Sequence, residues 1–263
     1  MLDRRNKATE ALDAVEDRAA FERLRDLIVQ EPKRFRVAAE DGRIFPNYWA
    51  PVIHEQNGQR VITPMRYSAY PPRRIPEAAA KKLTTFNARR DNLGSPFWAE
   101  AFGRHHGLLV LRAFYEWVSV KNLLQAGVVT SAEVRAHFAG ELAARKLRVE
   151  AQGKRFKATP TELKEAAFRD IVIMFAPRDD GPLLVPTIVS ESHLEPGLFG
   201  CAIVTDDPAP EVLTAGHDRT PISLSLEAAK AWLTPNKKSA KDLDALLDQR
   251  PAVHFDHRLP LVA

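Results

Sequence analysis

Cysteine is almost absent from this sequence, and its scarcity excludes several classes of protein. The 263 residues contain one cysteine, Cys201, so neither a disulfide within the chain nor a cysteine-based metal cluster can form. A chain without disulfides is typical of a reducing compartment, and we expect a cytoplasmic protein, with nucleoid association as a bacterial variant of that location. Cys201 lies in an apolar run, and we expect its thiol to be a buried structural group.

Long hydrophobic runs are missing too. A helix that crosses a membrane needs roughly 18 consecutive apolar residues, and no window of the sequence approaches that length. The charged residues 1–7 lead into an amphipathic stretch rather than an apolar one. We therefore expect no export signal and no membrane partner.

Several motifs of common enzyme classes are also missing. The chain has no Gly-x-Gly-x-x-Gly loop, no Gly-x-x-x-x-Gly-Lys-Ser/Thr loop and no Gly-x-Ser-x-Gly elbow, which disfavours the nucleotide-dependent enzymes and serine hydrolases built on them. The eight histidines are scattered, and the run at 254–257 lacks the His-Glu-x-x-His spacing of a helical zinc site. We predict neither a metal nor another cofactor.

The composition is that of a globular protein with a modest positive charge. Hydrophobic residues make up 45% and charged residues 27%, which is enough to build a core in a chain of this length. The net charge of +4 favours an anionic partner. Basic clusters that could line a DNA groove, or simply lie on solvated faces, are Arg73-Arg74, Lys81-Lys82, Arg89-Arg90, Lys154-Arg155 with Lys157, and Lys237-Lys238.

Helical and strand patterns alternate along the chain without a regular βαβ rhythm. Apolar spacing predicts a helix over 8–29, and a Thr-Ser-Ala-Glu capping box at 130–133 predicts a helix to about 150. Asn57-Gly58 predicts a hairpin turn. Further strands are predicted at 108–111, 114–118, 171–175, 183–189 and 200–204, and further helices from 160, at 225–233 and at 239–248. The mixture predicts an α+β fold, which we interpret as a single domain over 1–263 with a helical insertion at about 120–168.

Three short segments carry residues suited to catalysis. Asn87 and Arg89 would share a face of an extended chain and suit a phosphate or a polarised carbonyl, unless they lie in an ordinary surface loop. Glu116 lies among aromatic residues, where burial would raise its pKa, unless it faces solvent at a strand edge. His217 stands between a glycine and a proline that suggest a fixed turn around a proton carrier, unless this is a plain polar loop.

Together these segments resemble the abasic-site-processing proteins, also called the SOS-response-associated peptidases. That family carries an Asn-Ala-Arg-x-Glu/Asp segment, a Phe-Tyr-Glu-Trp strand and a His-x-Arg-Met-Pro loop, and the matching residues here are 87–91, 114–117 and 217–221, in the same order. Weaker matches lie at 64–67, 203–205 and 222–233. The resemblance covers roughly residues 44–119 and 171–250.

The resemblance implies a fold, a partner and a reaction. It implies a mixed α+β domain with a curved, barrel-like sheet flanked by helices. The implied partner is single-stranded DNA with an abasic site, bound by a monomer during the DNA damage (SOS) response. In the family, removal of Met1 exposes the amine of a cysteine at position 2. That amine forms a Schiff base with the opened sugar, and the thiol closes it to a stable thiazolidine cross-link.

The resemblance also implies roles for individual residues. Asn87 would orient the sugar or the amine, Glu116 would assist deprotonation of the amine, and His217 would act as acid and base on the sugar oxygen. Arg89 and Arg219 would hold phosphates, and Tyr67 would stack on a base. The predicted site therefore has Asn87, Glu116, His217 and Met1 as catalytic residues, and Arg66, Tyr67, Arg89, Arg90 and Arg219 as DNA-binding residues.

This chain departs from the family at position 2, which is Leu2 instead of cysteine. Without that thiol the thiazolidine cannot form, and three interpretations stay open. The natural start lies elsewhere, or the protein binds abasic DNA without a cross-link, or the Met1 amine itself forms a Schiff base that proceeds to strand cleavage as in a lyase. We predict abasic-site processing, with a catalytically silent DNA-binding homologue as one alternative and a peptidase as the other.

Overall fold

A computed structural model of the chain describes residues 9–38, 42–76, 83–159 and 168–259, apart from the side chain of Lys237. These residues divide into two units. The first unit comprises the described residues within 1–111, 181–206 and 221–252, and the second comprises those within 112–180, 207–220 and 253–263. The prediction of one domain with an insertion at 120–168 stays a prediction. No described helix is long and apolar enough to cross a membrane.

The first unit contains most of the strands. Its strands are β1 (Val15–Glu16), β2 (Arg36–Val37), β3 (Tyr48–Gln56), β4 (Gln59–Tyr67), β5 (Asn87–Arg89), β6 (His106–Leu111), β9 (Leu183–Glu191) and β10 (Phe199–Asp206). Its helices are α1 (Arg18–Gln30), α5 (Leu226–Trp232) and α6 (Ala240–Leu246), with 3-10 turns at Arg90–Asn92 and Pro235–Lys237. The short strand β11 (Thr220–Pro221) lies where the sequence passes from the second unit to the first.

Five strands of the first unit close into a barrel. In the order β4-β10-β9-β6-β3, each strand pairs with the next, and β3 pairs back with β4 to complete the ring. The β3–β4 pair is the hairpin predicted at Asn57-Gly58, and its register runs from Gln56 opposite Gln59 to Trp49 opposite Arg66. The predicted curved, barrel-like sheet in a mixed α+β fold is therefore confirmed.

Buried apolar residues fill the first unit, and the centre of its packing is Trp232 at the end of α5. The Trp232 side chain is fully buried, and its indole N–H donates to the Gly107 carbonyl at 3.1 Å. The His106 ring stacks on it at 3.8 Å between centroids. Burial lowers the pKa of His106 to about 3, so this histidine is a neutral packing residue.

The predicted helix at 8–29 is interrupted, because residues 9–11 are helical but residues 12–17 are not. The chain instead passes through Asp13, whose φ is +52°, and then forms β1, which pairs in parallel with Val61 and Ile62 of β4. Helix α1 begins only after Asp17, whose side chain accepts a hydrogen bond from the Ala20 N–H at 3.1 Å. Pairing with a distant strand therefore outweighs the local helical spacing.

The described residues of the second unit form a three-stranded sheet and three helices. The strands are β7 (Phe114–Ser119), β8 (Asp170–Pro177) and β12 (Phe255–Arg258), in the order β12-β8-β7. The helices are α2 (Val120–Gln125), α3 (Ser131–Ala151) and α4 (Pro210–Ala215). The predicted capping box is confirmed, because the Thr130 hydroxyl accepts from the Glu133 N–H while the Glu133 carboxylate accepts from the Thr130 N–H. The helix predicted from Pro160 lies largely outside the described residues.

The two faces of β7 differ sharply. Glu116 shares one face with the buried residues Phe114 and Val118, and the fully buried Ile173 of β8 lies opposite it. Tyr115 and Trp117 point to the other face, where the Trp117 residue is 70% exposed. This alternation follows from the twofold period of a strand and places one carboxyl against an apolar layer.

Candidate functional site

Glu116 lies in the environment that was predicted for it from sequence. Its side chain is 20% exposed and packs on the apolar face of β7. Burial raises the pKa of Glu116 from 4.5 to about 7, His217 opposes this rise, and Asp218 adds to it. A carboxyl with such a pKa can both hold and release a proton near neutral pH, as a general acid or base must.

His217 is placed by the end of helix α4. Gly216 takes the left-handed conformation, with φ of +92°, and ends the helix. The His217 N–H then donates to the Val212 carbonyl at 3.1 Å, so the backbone of the histidine is fixed to the last turn. Asn122 of α2 packs against Gly216, where a side chain at position 216 would come within 2.8 Å of the Asn122 amide nitrogen. The predicted fixed turn is therefore confirmed.

The two side chains meet in the second unit. His217 Nε2 lies 3.1 Å from Glu116 Oε2. The other ring nitrogen of His217, Nδ1, faces the backbone of Arg219. An Nδ1 without a proton can accept from the Arg219 N–H, and an Nδ1 with a proton can donate to the Arg219 carbonyl. The arrangement is an acid–base pair that shares a proton between a carboxyl and an imidazole.

Trp117 is a candidate functional residue that sequence reasoning missed. It follows Glu116 directly, and its indole is exposed on the opposite face of the strand beside the partly exposed Tyr115. Exposed aromatic rings of this kind stack on unpaired bases with little sequence preference. The signal was present in the alternation of Phe114–Ser119, which makes Tyr115 and Trp117 outward-facing once Glu116 is inward-facing.

Arg219 follows His217 by two residues. Its side chain is 19% exposed, and its Nε lies 3.9 Å from the exposed carboxylate of Asp218. Such an ion pair is weak and can exchange a carboxylate for a phosphate. The predicted phosphate contact of Arg219 is compatible with this geometry and stays a prediction.

Asn87 lies in the first unit, on β5. This strand pairs in parallel with β10, so that Asn87 lies opposite Ile203 and Arg89 opposite Thr205, which confirms the extended conformation predicted for the segment. The Tyr67 hydroxyl donates to Asn87 Oδ1 at 3.2 Å. Two predicted site residues, one assigned to catalysis and one to base stacking, are therefore hydrogen-bonded to each other.

The predicted DNA-binding arginines of the first unit differ in their bonding. Arg89 is half-exposed and makes a two-pronged contact with Asp91, with Nε–Oδ1 at 3.0 Å. Arg66 packs over the Tyr70 ring at 4.1 Å and donates to the Ser68 carbonyl at 3.2 Å. Burial lowers the pKa of Arg66. Arg89 therefore suits a phosphate better than Arg66 does, because its guanidinium reaches solvent.

Arg90 is surrounded by carboxylates, which does not fit its predicted contact with DNA. Its Nε lies 2.9 Å from Asp244, its Nη1 lies 2.5 Å from Asp248, and the same Nη1 lies 3.3 Å from Asp206. The Nη2 group donates to Asp248 and to both the side chain and the carbonyl of Asp244, so every N–H group of Arg90 is engaged. These partners raise the pKa of Arg90 further. Arg90 is a structural residue in this fold.

The remaining predicted residues give a mixed picture. Met1 and Leu2 lie outside the described residues, so the predicted role of the Met1 amine stays a prediction. Cys201 is fully buried, as predicted, and burial raises the pKa of its thiol to about 12. Such a thiol is no nucleophile at neutral pH. Among the described residues, no three histidine, cysteine, aspartate or glutamate side chains group as a metal site would require.

Comparisons with known proteins agree with this architecture. Solved structures with a similar fold include a protein from Bordetella bronchiseptica (18% identity, TM-score 0.54, covering 87% of this chain and 93% of that one). A phage-related protein from the same organism matches at 16% identity and a TM-score of 0.52, covering 82% and 79%. A protein from Bacteroides thetaiotaomicron matches at 14% identity and a TM-score of 0.52, covering 88% and 86%.

No curated protein matches the sequence. The sequence profile described as SOS response associated peptidase (SRAP) matches residues 7–258, which is nearly the whole chain. The chain therefore belongs to the SOS response associated peptidase (SRAP) family.

Proposed function

We propose that this protein processes abasic sites in single-stranded DNA in the cytoplasm, as part of the SOS response. The observation that carries the proposal is the Glu116–His217 pair, in which a buried carboxyl with a pKa of about 7 lies 3.1 Å from an imidazole. Reactions of an amine with a sugar aldehyde move several protons, and such a pair supplies and removes them near neutral pH. The family's name supports a role in the SOS response.

The proposed reaction begins at an α-amine. An ordinary α-amino group has a pKa of roughly 7.7–8, so a useful fraction is neutral at physiological pH. The nitrogen of the Met1 amine attacks the aldehyde carbon of the opened sugar, a C=N bond forms, and the aldehyde oxygen leaves as water. The Glu116–His217 pair takes the proton that the amine loses and returns one to the departing oxygen.

The second step is a β-elimination. The pair removes a proton from the carbon next to the C=N bond, the carbon–oxygen bond to the 3′ phosphate breaks, and the phosphate leaves with the electron pair. Water then hydrolyses the C=N bond and frees the amine. Leu2 offers no thiol to divert this Schiff base into a thiazolidine, so cleavage and reversal are its two outcomes.

DNA contacts are proposed for two arginines and for one exposed aromatic ring. Arg89 and Arg219 would contact phosphates, and the exposed Trp117 ring would stack on an unpaired base. Asn87, held by the Tyr67 hydroxyl, keeps its proposed role in orienting the sugar.

Borohydride trapping tests the proposal. The protein is incubated with a single-stranded oligonucleotide that carries one abasic site, and sodium borohydride reduces any C=N bond to a permanent adduct. We expect an adduct and a cleaved strand with the unmodified protein, and their loss with His217→Ala. The Leu2→Cys variant sharpens the test, because a small second residue permits methionine removal, and a cross-link should then form without borohydride. If the unmodified protein forms no adduct, the catalytic proposal fails, whatever the Leu2→Cys variant does.

A catalytically silent DNA-binding protein is the second candidate, and Leu2 is the observation that favours it. It predicts salt-sensitive binding to single-stranded DNA with no adduct from the unmodified protein. Cross-linking restored by Leu2→Cys would then identify a preserved site that has lost its nucleophile.

A peptidase is the third candidate, and the family's name is what suggests it. The Cys201 thiol cannot serve as its nucleophile, since it is fully buried with a pKa of about 12. Turnover of a generic peptide, abolished by His217→Ala, would favour this function over the first two.

A further inference from the structure

The C-terminal end of helix α3 carries a dense group of positive charges. We define the basic surface as the six cationic residues between 145 and 157, which are Arg145, Lys146, Arg148, Lys154, Arg155 and Lys157. One carboxylate, that of Glu150, lies in the same stretch, which therefore has a net charge of +5. The whole chain has a net charge of +4, so this short stretch exceeds the charge of the entire protein.

The backbone turns sharply where α3 ends. The Lys154 N–H donates to the Val149 carbonyl at 3.3 Å, and the Gly153 N–H donates to the Glu150 carbonyl at 2.9 Å. This pair of hydrogen bonds is the Schellman motif, which bends the chain back toward the helix that it has just left. The three cations that follow the turn are thereby held near the three on the last helical turns.

Phe156 holds the two parts of the basic surface together. It is half-buried, whereas its neighbours Arg155 and Lys157 are exposed. The Arg145 guanidinium lies 5.9 Å from the centre of the Phe156 ring. An aromatic side chain that packs on the helix while its neighbours point to solvent presents their charges in a defined arrangement.

Two polar contacts of the basic surface lie within the stretch itself. Lys146 lies 4.0 Å from Glu150, and the Lys154 ammonium donates to the neutral Gln152 side chain at 3.2 Å. The negative end of a helix attracts cations, but this effect fades within one turn and accounts for one or two of them. A surplus of this size is typical of surfaces that bind a polyanion.

We infer that the basic surface binds the phosphate backbone of undamaged single-stranded DNA, beyond the abasic nucleotide itself. This inference rests on the proposed function, which supplies single-stranded DNA as the ligand. Arginine forks and lysine ammonium groups bind phosphate oxygens without reading the bases. A membrane surface fits less well, because Leu147 is the one large apolar side chain that is exposed between 145 and 157.

Binding assays with matched charge variants test the inference. The test variant is Lys154→Gln/Arg155→Gln/Lys157→Gln, which removes three exposed cations beyond the helix. The control is Arg18→Gln/Arg25→Gln/Lys33→Gln, which removes three exposed cations in and after α1. Affinity is measured for abasic oligonucleotides of about 6 and about 25 nucleotides, over a series of salt concentrations. Polyglutamate and anionic vesicles are the competitors.

The expected result is a loss that appears only with the long strand. The test variant should bind the long oligonucleotide about tenfold more weakly, and the slope of log affinity against log salt should flatten by about 2, since each phosphate contact on a single strand contributes about 0.7. The short oligonucleotide and the control variant should show no such change.

Three results would overturn the inference. One is an equal loss for the test and control variants, and another is an unchanged affinity of the test variant for the long strand. The third is displacement of DNA by polyglutamate or vesicles at equal charge concentration. Failure of the proposed chemistry is recognised separately, as the absence of a borohydride adduct in the unmodified protein whatever its affinity for long strands.

Discussion

Arg90 in the first unit and Glu116 in the second show two different uses of a partly buried charge. Arg90 has three carboxylates around it, and every N–H group of its guanidinium is engaged. Glu116 has one imidazole beside it and an apolar layer beneath it, and its pKa of about 7 lets the carboxyl both hold and release a proton at neutral pH. A cation surrounded by carboxylates, such as Arg90, serves as a structural contact. A carboxyl with a single imidazole beside it, such as Glu116, can exchange protons.

The largest expected effect comes from removing the exchangeable proton. Glu116→Gln keeps the shape of the side chain but cannot accept a proton, so the rate of borohydride-trapped adduct formation should fall about 100-fold or more. Glu141→Gln, which changes a glutamate on the surface of α3, is the matched control and should leave the rate unchanged. A Glu116→Gln variant with the original rate would show that the pair has no part in the chemistry.

The next largest effect is on stability and concerns Arg90, the cation surrounded by carboxylates. Arg90→Met leaves Asp206, Asp244 and Asp248 without their shared partner, and the free energy of unfolding should fall by about 2–3 kcal/mol. Arg89→Met removes a half-exposed arginine with one carboxylate partner and should cost less than about 0.5 kcal/mol. Urea denaturation of the three proteins measures both differences. Equal losses for the two variants would remove the distinction between the arginines.

The two kinds of charge should change the free energy of unfolding in opposite directions as the pH changes. Folding raises the pKa of Glu116 from 4.5 to about 7, so the folded protein holds this proton more tightly than the unfolded chain does. Stability should therefore fall as the pH rises from 4.5 to 7, by about 2 kcal/mol, and Glu116→Gln should abolish this fall.

The Asp248 carboxylate beside Arg90 should behave in the opposite way. Arg90 lowers the pKa of Asp248, so the stabilising contact is present at neutral pH and is lost as acid protonates the carboxylate. Urea midpoints of the unmodified protein, Glu116→Gln and Arg90→Met test both signs, with the range from pH 4 to 8 reporting on Glu116 and the range below pH 4 reporting on Asp248. A rise in stability from pH 4.5 to 7 that Glu116→Gln does not change would contradict the raised pKa.

The smallest expected effect tests how His217 is positioned. Gly216→Ala and Gly127→Ala both place a side chain at a positive φ, but only position 216 has Asn122 within 3 Å of the added atom. We expect Gly216→Ala to cost about 1 kcal/mol more than Gly127→Ala and to slow adduct formation several-fold, because the histidine moves away from Glu116. Thermal unfolding and trapping rates of the two variants provide the comparison.

Local chemistry in the sequence was enough to predict the parts of the site that depend on neighbouring residues. The alternation around Glu116, the glycine before His217 and the extended Asn87–Arg89 segment all describe short stretches, and the structure contains each of them. The closed barrel followed from family resemblance instead, since no local pattern specifies which strands pair.

Features made by distant residues could not be predicted. The carboxylates around Arg90 lie more than a hundred residues away in sequence, so a basic pair in a loop was interpreted as DNA-binding. The break before Asp17 has the same cause, because β1 exists only through its pairing with β4. Helical spacing across 8–29 was real, but a long-range contact replaced it with a strand.

Because the two faces of β7 differ, the register of β7 against β8 decides which of its side chains are buried. A slip of one residue would turn Phe114, Glu116 and Val118 to solvent and bring Tyr115 and Trp117 to the buried face. The acid–base pair and the aromatic surface would be lost in the same step. A single inserted or deleted residue in this strand is therefore a more damaging change than most substitutions, and variation within it should be confined to replacements that keep its length.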